Sequence, residues 1–130
     1  MADVERGNRP LSPHISIYRP QITSISSILT RITGNALIVA SLMVVWWLLA
    51  AASGPRAFAL ADAVITSWFG DRVLILSVWV LWYHSLAGLR HLIWDTGHGL
   101  EIGVAQRLGW ACVIGAFVLT ILTALVFLLA

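Results

Sequence analysis

The sequence has 130 residues, 59% of them hydrophobic and 11% charged, with a formal net charge of +2. A soluble domain of this size exposes too much of its surface to carry so little charge. The eight arginines, with no lysine beside them, form no compact basic patch, which excludes nucleic acid as a partner. Membrane lipid is the surrounding this composition fits.

Residues 1–21 read as an N-terminal arm. Pro10, Pro13 and Pro20 fix their own backbone angles and restrict the residue before each. Asp3, Glu5, Arg6, Arg9 and Arg19 interrupt any apolar run, so neither a signal peptide nor an acid-free transit peptide is expected. Direct insertion into a bacterial inner membrane fits better than mitochondrial import.

Residues 22–130 read as a transmembrane domain. Stretches 32–55, 73–89 and 108–130 hold 24, 17 and 23 residues without a charge, against the roughly 20 that a spanning helix needs. They predict three spans, at about 24–53, 72–95 and 106–130, the second completed by snorkelling of Arg72 and Arg90. Thr23 or Ser24 is the expected cap of the first, and Gly54-Pro55 its stop. Phe58, Ala61, Ile65 and Trp68 recur at helical spacing and predict a short interfacial helix over 57–69. Gly97 and Gly99 break the second span. The fold class is therefore all-α, an integral membrane protein with three transmembrane helices. Transporters commonly carry internal repeats, and none is visible.

Arg6, Arg9, Arg19, Arg31, Arg90 and Arg107 fall on one side of such a topology, Arg56 and Arg72 on the other. The positive-inside rule then places the N-terminus in the cytoplasm. Trp68, Trp94 and Trp110 lie near span ends, where indoles favour the interface; Trp46, Trp47, Trp79 and Trp82 lie deeper, for helix packing or a cofactor. Cys112, the single cysteine, has no disulfide partner in the chain and reads as a packing residue.

His84 is the residue most suited to chemistry. It lies about 16 Å from Asp95 along the second span, near mid-bilayer, where ionisable groups are expensive and usually functional. Its imidazole suits a haem iron, and it equally suits an interhelical hydrogen bond. Ala87 and Gly88, one turn on, offer small side chains against which a flat macrocycle could lie. His91 cannot share one iron with His84, being about 10.5 Å further along the helix; a bis-histidine haem therefore requires a ligand from another chain. Arg90 and His91 suit haem propionates, although His91 can also pair with Asp95 one turn away. Ser24, Ser27 and Arg31 share a face of the first span and offer donors for a quinone's carbonyl oxygens; capping by Ser24 and anchoring by Arg31 are the plainer reading.

Two segments carry a resemblance. The first is Arg9-Pro10-Leu11, Ile15, and Ser27-Ile28-Leu29-Thr30-Arg31-Ile32-Thr33; the second runs from His84-Ser85-Leu86-Ala87-Gly88-Leu89-Arg90-His91 through Leu92-Ile93-Trp94-Asp95-Thr96-Gly97. With these the chain closely resembles the cytochrome b556 subunits of succinate dehydrogenase, over nearly its whole length. The resemblance implies a heteromeric helical bundle in which His84 is one axial ligand of a haem b. A second small membrane anchor subunit would supply the other ligand. Ser27 and Arg31 would contribute to a ubiquinone pocket, completed by that subunit and an iron–sulfur subunit against which residues 9–20 pack. Succinate would be oxidised on a flavoprotein subunit; Asp95 and Glu101, near the cytoplasmic face, suit a proton relay to reduced quinone and equally a solvated loop edge. The family usually has a histidine before the first signature's arginine, near the propionates; here it is Thr30, so no binding role carries over to that position. The same parts serve a fumarate reductase anchor run in reverse, and a haem-free anchor would use His84 only as a hydrogen-bond donor.

Overall fold

A computed structural model describes residues 17–130, and all four of its elements are helices: α1 (Ile22–Ser53), α2 (Pro55–Ile65), α3 (Trp68–Asp95) and α4 (Ile102–Leu129). The α1, α3 and α4 helices are each long and apolar enough to cross a membrane, with mean hydropathies of 2.2, 1.4 and 2.8 over an 18-residue stretch of each. Most of the expected N-terminal arm, including Arg9, Pro10 and Ile15, lies outside the described residues.

Every helix start differs slightly from its expected place, for a local reason. Gln21 precedes α1, and its backbone N–H donates to Ser24 Oγ at 3.2 Å, so Ser24 caps the helix from inside its first turn. Pro55 opens α2 at a position where its missing N–H costs nothing. Gly54 makes the corner between them with φ 126°, a conformation suited to glycine. The α3 helix begins at Trp68, because Ser67 Oγ accepts from the Gly70 N–H and carries the helix through Asp71 and Arg72. Arg72 lies over the Trp68 ring at 5.2 Å. Glu101 precedes α4, one turn before the expected start.

The α3 helix is central and packs on both α1 and α4. Its core joins Tyr83 and Ala87 to Cys112 and Ala116 of α4, with Leu29, Trp79, Trp82, Leu86 and Val113 around them. Small residues permit the close approach that drives helix association in lipid. A methyl group on Gly115 would come within 2.9 Å of Leu86. Three of the deep indoles serve packing: Trp79 stacks on Tyr83 and meets Phe117, Trp82 Nε1 donates to Thr123 Oγ1 at 3.0 Å, and Trp47 rests on Phe58 of α2. Trp46, Trp68 and Trp110 are exposed. An apolar cleft of about 300 Å³ between α1, α2 and α3 is lined by Met43, Trp47, Ile65 and Leu74, and touches none of the candidate site residues.

Candidate functional site

The site lies along the contact of α1 with α3. Ser26, Thr30, Thr33 and Gly34 form one stripe of α1, spaced at three- and four-residue intervals, in a helix otherwise rich in bulky apolar side chains. That stripe faces Tyr83, His84 and Arg90 of α3.

His84 is half-buried, with its ring against α1. Its Nδ1 lies 3.2 Å from the Thr30 carbonyl and 3.2 Å from Thr33 Oγ1. The carbonyl is only an acceptor. The single Thr33 proton has nearer acceptors in the Leu29 and Thr30 carbonyls, at 2.8 and 3.1 Å. Both neighbours therefore present lone pairs to Nδ1, which assigns the ring proton to Nδ1 and leaves the Nε2 lone pair uncommitted. Nε2 takes no hydrogen bond among the described residues. A β-carbon at Gly34 would meet His84 Cε1 at 3.1 Å, so glycine permits the ring to lie this close.

The surroundings of His84 differ in part from expectation. Ala87 is fully buried in the chain's own core against α4, so it offers no surface to a macrocycle. Gly88 meets nothing within 4 Å of an added β-carbon and faces away from this chain's other helices. His91 is exposed on the same side; its Nδ1 pairs with the Ala87 carbonyl at 2.7 Å and its ring meets Trp94 edge-on at 5.2 Å. The alternative pairing of His91 with Asp95 does not form. His98 lies in the loop after α3, beside Thr96 Oγ1 at 3.0 Å, outside any helix that could stack a second haem on His84.

Arg90 does not snorkel. It is 2% exposed and its Nη1 donates to Ser26 Oγ at 2.8 Å. Its guanidinium lies over the Trp94 ring at 4.6 Å, and Nε has no partner among the described residues. Gly109 of α4 lies alongside, where a β-carbon would be 3.7 Å from Nη1. Tyr83 closes the cluster by donating to the Ser26 carbonyl at 3.0 Å. Neither Ser26, Tyr83 nor Thr33 stands out in the sequence; the polar and glycine stripe on α1 was the available signal.

Of the three residues read together on early α1, Ser24 is engaged at the helix start and by Tyr18, whose hydroxyl donates to it at 3.2 Å. Ser27 is half-buried, and Arg31 is exposed one turn further along. The two take no side-chain hydrogen bond among the described residues. The Thr30 hydroxyl turns back onto the Ser26 carbonyl at 2.8 Å.

Among the described residues no three His, Cys, Asp or Glu side chains gather as a metal site. A haem iron needs no such cluster, because the porphyrin supplies four nitrogens and the protein only axial ligands. A half-buried imidazole with Nδ1 engaged, Nε2 uncommitted and an open glycine one turn away fits one axial position.

Fold and site together define, over the described residues, an all-helical integral membrane protein with a half-buried histidine partway along its central span. The family model for the succinate dehydrogenase/fumarate reductase transmembrane subunit matches residues 5–123, and the chain belongs to that family. It is 54% identical over 127 residues to the succinate dehydrogenase cytochrome b556 subunit of Paracoccus denitrificans, covering 98% of each chain. The cytochrome b556 subunit of Rickettsia conorii is 41% identical, covering 88% of this chain and 89% of its own. The cytochrome b560 subunit of Reclinomonas americana is 35% identical, covering 92% and 87%.

Proposed function

We propose that this chain is the cytochrome b556 subunit of a succinate:ubiquinone oxidoreductase, an anchor that ties the succinate-oxidising subunits to a bacterial inner membrane with its N-terminus in the cytoplasm. The observation that carries the cofactor assignment is the His84 hydrogen-bond pattern. An imidazole whose Nδ1–H is held by a backbone carbonyl is oriented for ligation through Nε2, and a haem-free hydrogen-bonding role would not require Nε2 to be left over. The names of its relatives support haem b as the group bound.

In this reading His84 supplies one axial nitrogen and a second small anchor subunit supplies the other, because His91 and His98 cannot reach the same iron. Gly88 would leave room for the edge of the macrocycle and the exposed His91 could donate to a propionate, whereas Arg90, buried on Ser26, could act on one only through its charge. The haem, when bound, exchanges single electrons. Ser27 and Arg31 donate hydrogen bonds to the carbonyl oxygens of ubiquinone at the membrane edge; both side chains are uncommitted among the described residues, as such donors must be. The iron–sulfur subunit covers this edge and delivers electrons from the flavoprotein, where succinate is oxidised. The chain itself carries out no step on succinate.

The test is the reduced-minus-oxidised visible spectrum of the complex purified through a tag on this chain. A low-spin b-type band in the wild type that is lost or strongly altered in His84→Leu supports the assignment. A wild-type complex containing the flavoprotein but no haem would sink the cofactor claim while leaving the anchor role.

A further inference from the structure

Thr33 and Gly34 are adjacent on α1, and both meet the same imidazole. Thr33 is 2% exposed, so its hydroxyl bonds in an environment without competing water. That hydroxyl back-bonds to the Leu29 carbonyl at 2.8 Å, which aims its proton down its own helix and its lone pairs at His84 Nδ1, 3.2 Å away. The Thr30 carbonyl is the second acceptor for the same N–H, at 3.2 Å. Gly34 fixes a different coordinate. The His84 ring fills the space where a β-carbon would stand, 3.1 Å from Cε1 and 3.7 Å from Nδ1. One residue thus governs how strongly the Nδ1 proton is held, and the other governs where the ring plane lies.

We infer that Thr33 and Gly34 are positioning residues for the axial ligand: the Thr33 hydroxyl raises the donor strength of His84 Nε2, and Gly34 sets the angle at which the imidazole meets the iron. The inference rests on the reading of His84 as a haem ligand. Hydrogen bonding at the outer nitrogen increases ligand basicity, and a more basic nitrogen stabilises ferric over ferrous iron, so the bond lowers the haem's reduction potential. The effect belongs to this chain's own packing, because both acceptors and the glycine come from α1 while the ligand comes from α3.

The experiment compares Thr33→Val, Thr33→Ser, Gly34→Ala and His84→Leu in the purified complex. It uses two readouts independent of turnover: the haem midpoint potential by spectroelectrochemical titration, and the low-spin resonance of the ferric haem by electron paramagnetic resonance. Thr33→Val, which removes one of two acceptors, is expected to raise the midpoint potential, and Thr33→Ser to return it to the wild-type value. Gly34→Ala keeps both acceptors and pushes the ring, so it is expected to shift the ferric resonance. If Thr33→Val does not assemble, the Gly34→Ala resonance decides the matter alone. Wild-type potential and resonance in Thr33→Val and Gly34→Ala, with haem lost in His84→Leu, would overturn the positioning role and leave the ligand assignment standing. An unaltered haem in His84→Leu would overturn both.

Discussion

Arg90 Nη1 donates to Ser26 Oγ at 2.8 Å, joining α3 to α1 where both side chains are buried. A charged donor in such a place is expensive unless hydrogen-bonded, and Nε already lacks a partner among the described residues. Trp94 offsets part of that cost through its ring face. Ser26→Ala should therefore destabilise the complex by about 2 kcal/mol, the range for a hydrogen bond to a charged group. Ser41→Ala is the comparison, since the Ser41 hydroxyl bonds only the Ile38 carbonyl of its own exposed turn. Thermal unfolding in detergent should separate the two; equal midpoints would mean that the bond contributes nothing.

The Trp82–Thr123 bond also crosses helices, yet it should matter less. It joins neutral groups on a partly exposed surface, and such bonds in membranes average about 0.6 kcal/mol. Thr123→Val should change stability by no more than about 1 kcal/mol. A loss as large as that of Ser26→Ala would show that the charge on Arg90 is not what distinguishes the two sites.

Gly70 and Gly103 are both helical glycines, and they should respond oppositely to alanine. A methyl group on Gly70 would collide with the carbonyl oxygens of Val64 and Ile65, which are backbone and cannot step aside, whereas one on Gly103 meets nothing within 4 Å. Gly70→Ala should force the α2–α3 corner open and lower the unfolding midpoint. Gly103→Ala should be neutral or stabilising by about 0.5–1 kcal/mol, through the lower entropy of the unfolded chain. Similar midpoints for both variants would refute this account of the corner.

Gly88 separates fold from cofactor. Nothing in this chain lies within 4 Å of a β-carbon there, so Gly88→Leu should leave the helices of this subunit intact while blocking what approaches from outside. The expected result is a complex with wild-type helical circular dichroism and less haem per flavin. Wild-type haem content would show that the macrocycle does not use this face.

Much of the fold is legible in the sequence because a bilayer imposes a coarse rule, long uncharged runs, which the three spans obey. Helix starts are less legible: charge marks where hydrocarbon can end, but backbone capping decides where a helix begins, and Ser67 starts α3 ahead of Asp71 and Arg72. The sides of α3 are harder still. Ala87 and Gly88 are neighbours near His84 on a helical wheel, yet one is buried against α4 and the other is open. Only the packing of a third helix separates them. Arg90 shows the same limit, since hydropathy suggests an interfacial cation and takes no account of the pocket made by Ser26, Trp94 and Gly109. The hold of Thr33 on His84 links residues 51 positions apart, a pairing that no local spacing encodes.

The 32 residues of α1 would extend about 48 Å, against a hydrocarbon thickness of about 30 Å. Residues 32–53, which carry no charge, fill that thickness alone at about 33 Å. The remaining turns lie against α3, where Ser26 meets Tyr83 and Arg90 and the Thr30 carbonyl meets His84. The length of α1 beyond one hydrocarbon thickness therefore goes into the bundle itself, and the same turns that make the helix long are those that hold the His84 ring and the Arg90 guanidinium.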